Sequence, residues 1–152
     1  MAGRVEPARE KYNEFVSKVS MSGIIWGIWT GEVWATADDP SRQKAALFML
    51  WDNKKAALDC LSKNITRFAG GSFVDTIELD KWINHYTGNL TNANAAAFLG
   101  PDNELKGLIV DPVDLRRDLI AKCKEFRLQG SDLTRIRAKS IKKLEQRKQK
   151  PI

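Results

Sequence analysis

The sequence predicts an α+β domain: a small, mostly antiparallel sheet built from hairpins with helices packed on it, plus a basic C-terminal helix. Three observations lead there. Two segments carry apolar residues at three- and four-residue spacing, the signature of a helix with one buried face. Two pairs of β-rich runs flank turn residues, the signature of hairpins. The surplus positive charge is confined to the last stretch of chain. Residues 1–126 are expected to form the compact domain and 127–152 a basic amphipathic extension. With 152 residues and 43% hydrophobic content, one core is expected, because folding at this size removes roughly two-thirds of the unfolded chain's surface from water.

In order along the chain, Pro7 suits the first turn of a helix, where its missing N–H costs nothing. Tyr12, Phe15, Val16 and Val19 continue that helix, which should end between Ser20 and Gly23. The run from Ile24 to Ala37 reads as a hairpin about Thr30-Gly31, with glycine supplying a positive φ. A two-residue turn would place Ile24, Trp26, Ile28, Val33, Ala35 and Ala37 on one face, taken here as the core face. It would also set Gly27 opposite Trp34, whose ring can cover the gap. The stretch from Ser41 to Leu61 fits either one long helix or a strand and a helix. We prefer a buried strand over Leu47 to Trp51, then a helix capped by Asp52 or Asn53.

Gly70-Gly71 marks a turn and Ser72 to Leu79 a strand. Asp80 is expected to cap a short helix holding Trp82, Ile83 and Tyr86, with a loop from Thr87 to Asn94. Ala95 to Leu99 and Lys106 to Val110, joined through Gly100-Pro101-Asp102-Asn103, form a second hairpin. Asp111 caps a helix opened by Pro112, with Leu115, Leu119, Cys123 and Phe126 on its inner face. Gly130 reads as a helix stop and Ser131 as a new cap.

This order of elements resembles the bacterial family catalogued as domain of unknown function 2750, over about Tyr12 to Phe126. The matching words are Phe15-Val16-Ser17-Lys18-Val19, Ile25-Trp26-Gly27-Ile28, Trp34-Ala35, Leu50-Trp51 before an alanine-rich helix, and Ile77-Glu78-Leu79-Asp80. Phe98 with Pro101 and the Val110-Asp111-Pro112 junction also match. Val33 stands where the family commonly has glycine, and Met49 and Asp52 where prolines often flank the tryptophan. The resemblance implies a compact α+β domain and no established activity.

Composition excludes several classes. The longest apolar run, Ala45 to Trp51, has seven residues, against about 20 for a membrane-spanning helix. Arg4, Glu6, Arg9, Glu10 and Lys11 interrupt the apolar stretch that a secretory signal requires. The expected compartment is the cytoplasm, where Cys60 and Cys123 stay as thiols. The sequons at Asn64 and Asn89 are then coincidental. A structural zinc site takes four Cys or His ligands, and the chain offers Cys60, Cys123 and the single His85. Gly70-Gly71-Ser72 lacks the spacing and the following lysine of a phosphate loop. No catalytic residue, metal or cofactor is assigned. An enzyme built on His85 with Glu78 or Asp80 is the remaining catalytic alternative.

What stays is interaction. Trp26 and Trp51 are assigned to the core, while Trp29 and Trp34 fall on the other hairpin face and are candidate anchors for a protein partner. The Asn-rich loop from Asn84 to Asn94 is a companion contact surface. Residues 127–150 hold nine Lys or Arg against Asp132 and Glu145, a charge of +7, which leaves −1 for residues 1–126. Arg135, Arg137, Lys139, Lys142, Lys143, Arg147 and Lys148 are the candidate contacts to nucleic acid through its phosphates, or to an anionic membrane or acidic protein. No aromatic residue follows Phe126, so base stacking by this tail is excluded. The expected function is a non-enzymatic interaction or regulatory module. The alternative is a nucleic-acid accessory protein acting through the tail.

Overall fold

The computed structural model describes residues 6–129. The seven candidate tail contacts, from Arg135 to Lys148, the stop at Gly130 and the cap at Ser131 lie outside the described residues. Helix α1 spans Glu6–Ser22, with Pro7 in its first turn, and ends on Gly23 at φ +75°, whose N–H donates to Val19 O at 2.7 Å. Strands β1 (Ile24–Trp29) and β2 (Thr36–Ala37) follow, then β3 (Ala46–Leu50) and α2 (Lys54–Lys63). A 3-10 turn, Ile65–Arg67, leads to β4 (Phe73–Glu78). The next stretch is helical throughout: α3 (Leu79–Lys81), a π turn (Trp82–Tyr86) and α4 (Thr87–Asn92). Strands β5 (Ala95–Leu99) and β6 (Leu108–Val110) and helix α5 (Pro112–Gln129) complete the chain.

Strands β1 and β4 pair antiparallel, and a second sheet runs in the order β2-β3-β5-β6. Backbone bonds join the two sheets. Trp26 and Trp51 exchange N–H···O bonds of 2.9 and 2.8 Å, and Ala35 N–H donates to Ile28 O at 2.8 Å. The sheets are mostly antiparallel, as predicted, but the central pair β3 and β5 runs parallel, from Ala46 opposite Ala95 to Leu50 opposite Leu99.

Side chains on β3 and β5 alternate between two cores, as the two-residue period of a strand requires. Phe48 and Leu50, with Ala95, Ala97 and Leu99, face a cluster closed by α1, α5 and the helical stretch after β4. Leu47, Met49 and Trp51, with Ala96 and Phe98, face a second cluster under α2. Burial on both faces explains why the Ala45 to Trp51 run is apolar throughout rather than alternating. Helices α1 and α5 and the helical stretch from α3 to α4 therefore cover one side, and α2 the other.

The predicted hairpin is present in a different register. Trp29 pairs with Trp34, and Thr30 N–H donates to Val33 O at 3.0 Å, so Thr30, Gly31, Glu32 and Val33 all lie in the turn. Glycine does supply the positive φ, +101° at Gly31. The longer turn slides the second strand by two residues, which preserves which residues share a face. It also carries Val33 out of the sheet, leaving it 51% exposed. The face taken as the core is one of two buried faces. Ile28 and Ala35 enter the smaller cluster, with Trp26 and Ala37 against it, while Ile25 and Trp34 enter the larger. Trp34 does cover Gly27, reached diagonally: a Cβ at Gly27 would lie 3.0 Å from Trp34 Cε3.

Two expectations after β4 are corrected. Asp80 does not cap a helix. Leu79 already opens α3, with Glu78 at the cap position and no side-chain cap bond. Thr87 to Asn94 is not a loop through most of its length, because α4 occupies Thr87–Asn92. There the Thr87 hydroxyl donates to Trp82 O at 2.9 Å and that of Thr91 to Thr87 O at 2.9 Å. Leu90 is buried, so tertiary burial holds a helix that its Gly and Asn content disfavours. The π turn sets Trp82 and Tyr86 in a stacked pair, centroids 6.3 Å apart, with Phe48 edge-on to both.

Candidate functional site

Because β3 and β5 are parallel, their carboxyl ends come to the same edge of the sheet, the place where open α/β sheets carry their ligand crevices. Here that edge is a cleft of 440 Å³ between α1, the β3–α2 junction and the connection from β5 to β6.

Each wall has a local cause. After β3, Trp51 stays paired to Trp26, the chain turns at Asp52, and Asn53 caps α2, its Oδ1 accepting from Ala56 N–H at 2.8 Å. Of the two caps the sequence offered, Asp52 and Asn53, it is Asn53 that serves. After β5, Gly100 at φ +64° donates its N–H to Leu50 O at 2.7 Å, and Pro101 O accepts from the Trp51 indole at 2.9 Å. Asp102 organises the rest of that connection. Its Oδ1 accepts from the N–H groups of Glu104 at 2.8 Å and Lys106 at 3.0 Å. At Gly107 a Cβ would stand 2.6 Å from Leu99 O, so only glycine lets the returning strand lie this close. The third wall is α1, where Lys11, Glu14, Phe15 and Lys18 fall on one face at three- and four-residue spacing.

The cleft has an apolar floor and a charged rim. Phe15, Trp51 and Leu99 are buried beneath it, with Leu108 half-buried. Lys11, Lys18 and Lys106 stand against Glu14, Asp52 and Asp102. Lys18 Nζ lies 2.7 Å from Glu14 Oε1; that bond holds the Glu14 carboxyl below its usual range and raises the Lys18 ammonium, which Asp52 raises further. The two backbone N–H donors, then the charges of Lys106 and Lys11, hold the Asp102 carboxyl below its ordinary value. Among the described residues Lys11 has no ion pair, and the bonds to the Asp102 side chain fall on Oδ1 alone.

Residues singled out from the sequence lie elsewhere. Trp34 is buried; its indole donates to Tyr86 Oη at 3.1 Å and its ring meets Trp29 edge-on at 5.2 Å. It is a core residue, placed inside by the strand register. Trp29 is half-buried opposite Phe73, which is 46% exposed, so the hairpin end does carry apolar surface. His85 is exposed on the π turn, with Nε2 3.2 Å from Asn89 Nδ2. None of His85, Glu78 and Asp80 lines the cleft. Among the described residues, no three His, Cys, Asp or Glu side chains are grouped to hold a metal ion, and no helix is long and apolar enough to cross a membrane. Sequence reasoning missed Lys11, Glu14, Lys18, Lys106 and Gly107. Their only local signal was the charged edge of the α1 stripe and the turn at Gly100 to Asn103.

The model of one family, described as a protein of unknown function (DUF2750), matches residues 12–119, more than half of the chain. No curated protein and no solved structure matches it.

Proposed function

Because the chain belongs to the DUF2750 family, which brings no activity with it, we propose from its own surfaces that it is a non-enzymatic interaction or regulatory module. Its contact site is the cleft at the carboxyl ends of β3 and β5. The observation that carries this reading is the pairing of an apolar floor with a rim of fixed charges in a cleft of 440 Å³, within the roughly 300 to 1,000 Å³ typical of ligand sites. A general acid or base works best with a pKa near the operating pH. Glu14 and Asp102 are instead pushed further into the ionised range and Lys18 is held protonated. Such groups recognise charge rather than move protons. A cytoplasmic setting goes with this reading, supported by Cys60 and Cys123 standing as free thiols.

The test is an amide-resolved NMR titration of the full chain against a panel of metabolite-sized and peptide probes. Shifts are expected to cluster at Asn53 to Ala56 and Leu99 to Leu108. Shifts confined to the hairpin end or the π turn would overturn the assignment of the site.

The +7 charge of residues 127–150 favours a second reading, in which the tail docks on nucleic-acid phosphates. Removing residues 131–152 should then abolish binding to duplex DNA or RNA together with its salt dependence. Unchanged binding would dispose of it.

A further inference from the structure

Within the reading of the cleft as a contact site, on which this inference rests, we propose that its ligand is a small zwitterion of the amino-acid or short-peptide class. The ligand's carboxylate would meet Lys11 and its ammonium the free oxygen of Asp102.

Charge balance selects the class. The rim presents three ammonium groups and three carboxylates. A polyanion such as a nucleotide would face those carboxylates at short range, and a polycation the ammonium groups. Either juxtaposition is repulsive. A molecule with one charge of each sign avoids both.

Lys11, Asp52 and Asp102 have no ion pair among the described residues; Asp52 accepts from Asn53 Nδ2 at 2.7 Å and faces the Lys18 ammonium, which it raises, so Lys11 and Asp102 are left to orient the ligand. Lys18 is engaged by Glu14 at 2.7 Å and Lys106 by Glu104 at 3.2 Å, whereas Lys11 has no ion pair among the described residues. Asp102 is held rigid through Oδ1 by two backbone N–H groups, and its Oδ2 accepts no hydrogen bond among the described residues. Lys11 is close enough to bias the Asp102 carboxyl electrostatically, yet the two lie beyond ion-pair distance. This is an open pair, with opposite charges facing a shared space without contact. A ligand carrying its own ammonium and carboxylate closes the pair on both sides, and the fixed Asp102 loses little freedom in doing so. The first turn of α2, at Asn53 and Ala56, adds partial positive charge to the lining. The floor at Phe15 and Leu108 suits an apolar side chain.

The experiment titrates the full chain with alanyl-phenylalanine, its N-acetylated form, its C-terminal amide, AMP and inorganic phosphate, reading amide shifts and calorimetric affinity. The free dipeptide should bind saturably, with shifts at Asn53, Gly100 and Gly107. Blocking either end should weaken binding about fivefold or more, the upper range for one exposed ion pair. Lys11→Met should remove the preference for a free carboxylate, and Asp102→Asn, which keeps an oxygen for the two backbone N–H groups, the preference for a free amine. A melting temperature recorded for each variant separates lost recognition from lost folding. Equal binding of blocked and free dipeptide, tighter binding of AMP or phosphate, or no binding by any probe would overturn the zwitterion assignment. In the first two of these outcomes, shifts that still map to the cleft would leave it standing as the contact site; shifts elsewhere would sink both readings.

Discussion

The two faces of the central sheet differ in how they are closed. One is sealed by α1, α5 and the helical stretch after β4, and holds Trp34, Phe48, Trp82 and Tyr86 in a continuous ring cluster. The other has α2, ten residues long, as its one covering helix among the described residues, and the charged cleft lies across the carboxyl edge between them, with Phe15 and Leu99 from the sealed cluster and Trp51 and Ala56 from the other in its lining. Both faces are read from the same strands, since β3 and β5 send alternate side chains to each. Stability is therefore concentrated where cover is complete, and recognition sits at the edge where α1 on one side and the capped end of α2 on the other leave the strand ends open.

That contrast can be broken or sharpened by substitution. The largest effect is expected on the sealed side. Trp82 is fully buried, and Trp82→Ala should cost about 3 to 5 kcal/mol, by lost burial and the cavity left behind, as read from a denaturant midpoint at constant slope. A smaller loss than at cleft positions would reverse the contrast. Next comes Gly107→Ala. Its methyl group would meet Leu99 O, and the expected loss is about 1 to 3 kcal/mol, with amide shifts confined to the β5–β6 connection and the cleft. Asn53→Ala removes the cap of α2 and should cost about 1 kcal/mol. Hydrogen exchange should speed up in α2 and not in α1 or α5; uniform acceleration would mean that the thin face is not separately held.

The smallest effect is a pH dependence. Burial pushes the Cys60 thiol from an ordinary 9.0 up to about 11. The native state therefore holds this proton more tightly than the unfolded chain, so its contribution is complete below pH 9 and declines as pH rises towards 11. Tyr12 and Tyr86 are also raised, from a higher ordinary value of 10.0. The slope just above pH 9 is accordingly led by Cys60, with the tyrosines adding as pH nears 10. Cys60→Ala should reduce that slope in the urea midpoint, and an unchanged slope would reassign it.

Much of the fold was legible wherever one local cause dominates. The β3 strand was the preferred of two readings, α2 followed from a cap at Asp52 or Asn53, and α5 from Asp111, whose Oδ1 accepts from Val113 N–H at 2.7 Å. Legibility failed where distant packing overrides local preference. The hairpin register depended on two more turn residues than Thr30-Gly31 implied. The segment Thr87–Asn92 has the composition of a loop, and becomes α4 through Leu90 and two hydroxyl bonds to the preceding turn. The pairing of β3 with β5 was invisible because strands so far apart leave no adjacent signal. The cleft was hidden for the same reason: α1, the β3–α2 junction and the β5–β6 connection meet only once the parallel pair has formed. Trp34 looked like an anchor because an aromatic residue in a hairpin carries no mark of which face will be covered.

The turn at Gly70-Gly71 divides the chain between the partners of every long pairing. β1 lies before it and β4 after; β3 lies before it and β5 after. No segment ending at that turn contains a complete sheet, so during synthesis the emerging chain carries strands with bare edges until β4 and then β5 have left the ribosome. Closing these loops costs entropy before contacts return it. For the same reason, two halves cut at Gly70-Gly71 would each be incomplete yet complementary along the full length of both sheets.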